Sequence, residues 1–392
     1  MKSSILRNLL IAVVASCAIL VPDFYIYSRF AIHWWPAWLG TAYWIPSLLI
    51  VASLATAAMM FRRSRCSAVY HNVGVIIISA LSIILPKIGF TATLTSLEAL
   101  GVDTYAATWS GIAVAAAALF TLIYGATAGK RRFRVREIEI ESDSLPEEFD
   151  GYTIVQLSDF HAGSWHGNTS GVRRAVEIVN SLAPDMVAFT GDLINSDADE
   201  IDEFMPYLSK ISAADGVFSV LGNHDYGTYS RLATTMGTFG HLSSLAMRQR
   251  DMGWRLLNNE NAIITRGEAS IAIAGVENSG NPPFPCRGDL KRALAGTDDR
   301  YTVLLSHDPT HWRREVLPQS NVQLMLAGHT HDMQFSFMGY SPASRIYPEH
   351  NGLYTAEDGR QLFVNIGLGH LFPLRLGAWP EITRITLRRR QR

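Results

Sequence analysis

Two hydrophobic rhythms follow one another along this chain. Through residues 1–128 apolar side chains run almost without interruption, in stretches near Ile5–Tyr25, Tyr43–Phe61, Val69–Phe90 and Ala106–Ala126. A helix needs about 20 such residues to cross a bilayer, so the pattern predicts four transmembrane helices. The first is read as a retained helix and not a cleaved leader, because no small-residue cleavage site follows it and three more spans do. Beyond Lys130 the rhythm changes to short apolar runs separated by amphipathic stretches. Runs at Tyr152–Leu157, Met186–Thr190, Val217–Leu221, Ile271–Ala274, Thr302–Leu305, Val322–Ala327 and Leu362–Ile366 read as strands. Ser170–Leu182 and Ala198–Ile211 read as helices. Strands alternating with helices predict a layered α/β domain. The chain therefore divides into a transmembrane region (1–128), a basic juxtamembrane linker with a first strand (129–149) and an α/β domain (150–392).

Formal net charge is −1, so no global charge argues for a nucleic-acid partner. The basic residues are nevertheless placed unevenly. Lys2 and Arg7 precede the first span, Arg62, Arg63 and Arg65 separate the second from the third, and Lys130, Arg131, Arg132, Arg134 and Arg136 follow the fourth. The other side carries only Arg29 and Lys87. This bias predicts a multi-pass protein of the inner membrane with its α/β domain in the cytoplasm. Trp34, Trp35, Trp38, Tyr43 and Trp44 form the aromatic belt expected at an interface. Pro86 and Lys87 near the end of span three also fit a re-entrant segment, and no span is expected to bear a paired buried charge. Cys17, Cys66 and Cys286 have neither metal-type spacing nor a disulfide framework.

The chemistry sits in five short segments, each just after an apolar run: Ser158-Asp159-Phe160-His161, Gly191-Asp192, Gly222-Asn223-His224-Asp225, Ser306-His307 and Gly328-His329-Thr330-His331. On extended backbone, residues two apart face the same side, so Asp159 with His161, and His329 with His331, would each aim two donors at one spot. Asp192 is a carboxylate able to bridge two cations, Asn223 adds a neutral oxygen and His307 an imidazole. This mixed nitrogen and oxygen set suits Mn²⁺, Fe or Zn²⁺ better than Ca²⁺. Two such cations generate hydroxide at neutral pH and clamp an in-line phosphoryl displacement. His224, at the edge of the set, is placed to protonate a leaving oxygen or stabilise phosphoryl oxygens, with Asp225 holding its imidazole. A lone Gly-Asp is a turn signal and a lone histidine is more often structural; the five segments occurring together, in order, set those readings aside. His166 is expected to cap the following helix, and His311 to lie on a helix surface. Arg375 is a candidate phosphate ligand, and the loops Asn278–Pro285 and Tyr340–Gly352 are candidate flaps.

The succession D-x-H, G-D, G-N-H-D, H, G-H-x-H resembles the calcineurin-like metallophosphoesterase family over about residues 150–388. The stretch Gly367–Ile382 is similar to its membrane-associated YkuE- and YaeI-like branch. The resemblance implies a four-layer αββα sandwich behind the four-helix transmembrane region, and two divalent metal ions, Mn, Zn or Fe. It assigns Asp159, His161 and His331 to one ion, Asn223, His307 and His329 to the other, Asp192 as the bridge and His224 as the catalytic histidine. That branch often reads G-H-T-H-G-G-Q, whereas Asp332 and Met333 stand here in place of the two glycines. The implied activity is membrane-bound hydrolysis of a phosphodiester or pyrophosphate in a lipid-linked or membrane-proximal substrate. Two alternatives are a soluble phosphodiester, such as a cyclic nucleotide, and a catalytically silent membrane sensor. The second predicts gaps in the ligand set, and the sequence has none.

Overall fold

The structure is a computed structural model describing residues 16–63, 67–228 and 231–390. It divides into two compact units, one built from residues 1–63 and 72–127, the other from 64–71 and 128–392.

Residues 16–26, Ile45–Arg63, Ser67–Ala99 and Thr104–Ala126 are helical, and all but the first turn of Ser67–Ala99 falls in the first unit. Among the described residues three helices are long and apolar enough to cross a membrane, at Ala37–Met60, His71–Ala99 and Thr104–Arg131. The predicted first span, Ile5–Tyr25, lies partly outside the described residues. The third span is one unbroken helix. Its helix runs through Pro86 for 33 residues, roughly 50 Å, longer than a hydrocarbon core of about 30 Å. Leu48, Trp109 and Phe120 are exposed on these helices, as suits a surface solvated by lipid.

The expectation of no paired buried charge is overturned. Asp23 is fully buried and accepts from Lys87 Nζ at 2.5 Å and from Tyr43 Oη at 2.9 Å, and also from Ser47. Lys87 reaches Ser47 Oγ at 3.0 Å. The partners lie 64 residues apart, so only helix packing brings them together. Arg29 pairs with Glu98 at 2.7 Å in the same unit.

Among the described residues the second unit contains twelve strands: β1 (Arg134–Ser142), β2 (Thr153–Leu157), β3 (Met186–Phe189), β4 (Val217–Ser219), β5 (Trp254–Leu256), β6 (Glu260–Arg266), β7 (Ala269–Gly275), β8 (Tyr301–Leu305), β9 (Leu324–Ala327), β10 (Gly352–Thr355), β11 (Gln361–Val364) and β12 (Glu381–Arg389). They form two six-stranded sheets, ordered β1-β12-β2-β3-β4-β5 and β10-β11-β9-β8-β7-β6. β2 to β5 run parallel in the first sheet, and β7, β8, β9 and β11 in the second.

Both faces of the central strands are covered, which is why they read as unbroken apolar runs and not as alternating ones. Ile154, Met186 and Ala188 meet Ile273, Val303 and Leu326 in the core between the sheets. Their neighbours Val155, Val187 and Phe189 face outward onto Val172, Val176 and Val179 of the helix Thr169–Ser181. On the far side Leu304 and Met325 pack under Trp312 and Val316. Helices, sheet, sheet and helices make the predicted four layers.

The strands missed in sequence are mostly at sheet edges. The predicted helix Ala198–Ile211 is instead two short turns, Ala198–Ile201 and Met205–Leu208. Pro206 cannot donate a backbone hydrogen bond, so it starts a new turn and does not continue the old one.

Candidate metal centre

The polar segments leave the carboxyl ends of five parallel strands, where ligands collect in open α/β sheets. Asp159 and His161 follow β2, Asp192 follows β3, Asn223 follows β4, His307 follows β8, and His329 and His331 follow β9. Three strands belong to one sheet and two to the other, so the donors converge where the two sheets' ends meet.

Three overlapping donor groups result. Asp159, His161 and His331 form one, Asp192, His307 and His329 another, and His161, Asp192 and His224 a third at the edge; within each, a donor atom from every residue lies within 4.8 Å of the rest. His161 Nε2 and His331 Nε2 face each other at 3.0 Å, with Asp159 Oδ1 3.2 Å from the latter. His329 Nδ1 lies 3.3 Å from His307 Nε2, which is 3.1 Å from Asp192 Oδ2. The same Asp192 Oδ2 lies 3.7 Å from His161 Nε2, so this carboxylate stands between the groups. Asn223 is buried and opens the turn His224–Tyr226.

The backbone differs from the extended geometry expected from the sequence. Asp159, His161, Asp192, His329 and His331 all have positive φ, between 49° and 75°. Left-handed backbone costs a side chain of this kind roughly 1–2 kcal/mol, and such strain gathers at functional sites. The donors converge because the chain turns sharply at each one. Two glycines permit this: Gly191 has φ 93°, and a Cβ on Gly222 would lie 2.5 Å from the Asp192 nitrogen.

Outer partners aim the imidazoles. His307 Nδ1 donates to the Thr190 carbonyl at 2.7 Å, turning Nε2 inward. His329 Nε2 contacts Tyr347 Oη at 3.0 Å, leaving Nδ1 for the site. Such partners fix the tautomer and raise ligand basicity at metal sites. Burial pushes His161 down to about 3 and His329 to about 4, so both are neutral at pH 7 with a lone pair to give. Burial also disfavours charge on His307, but the Asp192 carboxylate outweighs it and raises His307 to about 10. Facing imidazole nitrogens around two buried carboxylates fit divalent transition-metal ions without any thiolate.

Several expectations are corrected. Asp225 does not hold His224. It is fully buried, and its carboxylate accepts from the backbone N–H groups of Asp192, Leu193, Ile194 and Gly222. His224 Nδ1 instead donates to the Asn195 carbonyl at 2.7 Å. Arg375 is fully buried, and its guanidinium donates to the carbonyls of Ile366, Gly369 and Ala378. It also lies 3.1 Å from His331 Nδ1, so it braces that histidine and presents no surface to phosphate. His311 is buried between Ser306 and Glu315, not exposed. His166 is solvent-exposed beside Glu203, and Asn168 caps the helix by accepting from Gly171. Sequence reasoning missed Asn195, Tyr347 and Glu200. The Glu200 carboxylate accepts four backbone N–H groups, from Gly163, Asn195, Ser196 and Asp197, and so shapes the turn beside His224. Only the capping-box spacing Asp197-x-x-Glu200 was visible in advance.

The chain is similar in sequence to known proteins of one family. The family model described as calcineurin-like phosphoesterase matches residues 152–333. The chain is 31% identical over 274 residues to a transmembrane protein with metallophosphoesterase domain from Danio rerio, covering 68% of this chain and 60% of that protein. A protein of the same description from Bos taurus is 31% identical, with 64% and 56% covered. The chain thus spans less than two thirds of the length of these two relatives. The uncharacterised metallophosphoesterase YkuE of Bacillus subtilis is 32% identical over 262 residues, which cover 84% of it. Among solved structures, a dimetal phosphatase from Danio rerio aligns at 18% identity and a TM-score of 0.34, over 56% of this chain and 88% of that one.

Proposed function

This chain belongs to the calcineurin-like metallophosphoesterase family, and from that premise we propose that it is a membrane-bound, metal-dependent hydrolase of phosphate esters. One observation carries the reading: at the carboxyl ends of five strands the Asp192 carboxylate lies between two donor groups, 3.1 Å from His307 Nε2 and 3.7 Å from His161 Nε2. Asp159, His161 and His331 would hold one divalent ion, Asn223, His307 and His329 a second, with Asp192 between them. Bound there, such ions supply a hydroxide nucleophile at neutral pH and neutralise phosphoryl oxygens. Mn, Zn and Fe all suit these donors.

The protein's own contribution is orientation and proton delivery. His224 stands at the edge of the set, its ring 4.8 Å from that of His161. With Nδ1 donating to Asn195, Nε2 is the nitrogen we assign to a substrate oxygen. Protonated there, it donates to the departing oxygen as the P–O bond breaks. Arg375, Thr190 and Tyr347 hold the His331, His307 and His329 imidazoles in place, which pre-orients them.

Three apolar helices among the described residues, and relatives described as transmembrane, support a membrane location. We read it as the inner membrane with the hydrolase facing the cytoplasm, from the clustering of Arg and Lys. A lipid-linked or membrane-proximal phosphodiester or pyrophosphate fits that setting. The test is hydrolysis of bis(p-nitrophenyl) phosphate and p-nitrophenyl phosphate by purified full-length protein, stripped of metal and then given Mn²⁺, Zn²⁺ or Fe²⁺. Metal-dependent turnover that vanishes in Asp192→Ala supports the reading. Failure to bind any of these ions refutes it.

A further inference from the structure

Just past His331, two segments present an apolar surface that the hydrolytic site does not use. Phe335 pairs with Leu376, and Phe337 with Tyr340, so residues 335–340 form a small hairpin tipped by Met338 and Gly339. Met338 is 93% exposed and Phe337 63%. Phe335, Tyr340, Leu371 and Phe372 are exposed beside them in sequence or through this pairing.

Gln334 binds the two segments into one piece. Its Oε1 accepts from the N–H groups of Leu371 and Phe372, its Nε2 donates to the Phe372 carbonyl, and its own carbonyl accepts from Leu376. The platform begins four residues after a metal-site histidine and is anchored to the loop that Arg375 braces. Six large apolar side chains held facing solvent on a rigid turn mark an interaction surface, not a loose loop.

The charge pattern and the tether identify what covers it. From Met333 to Ile346 the only charged residue is Arg345, which is exposed, and from Gly367 to Pro380 the only one is the buried Arg375. Neither stretch carries a carboxylate to repel phosphate headgroups. Only residues 127–133 separate the helix Thr104–Ala126 from β1, a reach of at most about 25 Å. The bilayer is then the one apolar phase always within range. Aromatic and aliphatic side chains with a basic flank are what a membrane interface takes up.

We propose that this platform inserts into the headgroup boundary of the bilayer that the chain spans, seating the mouth of the metal centre against lipid phosphate esters. The inference rests on the membrane-spanning reading and not on turnover.

The test uses the full-length chain in phosphatidylcholine–phosphatidylglycerol vesicles. In a background of Cys17→Ser, Cys66→Ser and Cys286→Ser, a bimane probe is attached at Met338→Cys or, as reference, at Asp299→Cys. Asp299 is exposed ahead of β8, at the strand end opposite the site. The expected result is several-fold stronger quenching of the Met338 probe by brominated lipid, with shielding from iodide. Equal behaviour of the two probes overturns the proposal. So does shielding from iodide without lipid quenching, which would mean a protein partner or a second copy. As a second arm, Met338→Asp should lower hydrolysis of a vesicle-borne phosphodiester at least ten-fold and leave bis(p-nitrophenyl) phosphate unchanged; an equal loss on both would also overturn it. The probe reports insertion even from a chain without phosphoesterase activity, so the two readings fail separately.

Discussion

His224 donates through Nδ1 to the carbonyl oxygen of Asn195 at 2.7 Å, while its own backbone N–H donates to Asp192 Oδ1 at 2.8 Å. One residue therefore has its ring fixed from one side and its main chain fixed to the shared carboxylate. If it is the proton donor, His224→Ala should lower kcat by about 10²–10⁴-fold and leave metal content unchanged. Elemental analysis alongside steady-state kinetics checks this. Loss of metal together with activity would make His224 a ligand instead.

Asp225 serves four backbone N–H groups in a fully buried place. Removing it strands those donors, at about 1–3 kcal/mol for each buried group left unsatisfied. Asp225→Ala should destabilise the catalytic unit by at least about 3 kcal/mol and loosen metal binding. Urea denaturation of the two proteins gives the answer, and a change below about 1 kcal/mol would contradict the anchoring role.

Asp332, Met333 and Gln334 take φ of 51°, 47° and 58° in succession. Met333 is 40% exposed, so its side chain adds little packing to offset the strain. Met333→Gly should therefore raise stability, by about 0.5–1 kcal/mol once glycine's greater unfolded-state freedom is counted. Denaturant midpoints decide it, and a lower midpoint for the glycine variant would refute the strain argument.

Arg266 of β6 donates to Asp185 Oδ1 at 2.5 Å, and Asp185 Oδ2 accepts from the Thr153 N–H and hydroxyl, joining the two sheets. Burial pushes Asp185 up, but the Thr153 N–H and Arg266 outweigh it and hold the carboxyl below its ordinary value. A depressed folded-state pKa contributes stability above the unfolded value near 4 and loses it as pH falls through the folded value. Asp185→Asn should thus cost about 1–2 kcal/mol at pH 7, with the deficit shrinking below about pH 4. Melting temperatures across pH 2–7 test the sign, and a deficit that grows on acidification would reverse it.

In the membrane unit, Lys87→Met leaves the Asp23 carboxylate buried without its cation. Breaking one half of a buried pair costs about 3–5 kcal/mol, whereas replacing both halves is often close to neutral. Thermal stability in detergent should fall sharply in Lys87→Met and recover in Asp23→Asn/Lys87→Met. A double variant no better than the single one would show that the pair does not act as a unit.

The sequence alone determined the class of each half. Long apolar runs and short doubly buried strands are local patterns, legible because transfer of side chains out of water acts at every position. The donor types were legible for a similar reason, since each sits just past its own strand. Tertiary structure decided how those donors point. Asp159 and His331 are far apart in the chain, and their meeting depends on two sheets packing face to face and on left-handed turns that no extended register would give. It also gave Arg375 its bracing role, set the Asn195 carbonyl against His224, and paired Asp23 with Lys87. Each is a long-range satisfaction of a buried polar group. Such partners are chosen by what packing brings near, and residue order along the chain carries no record of that choice.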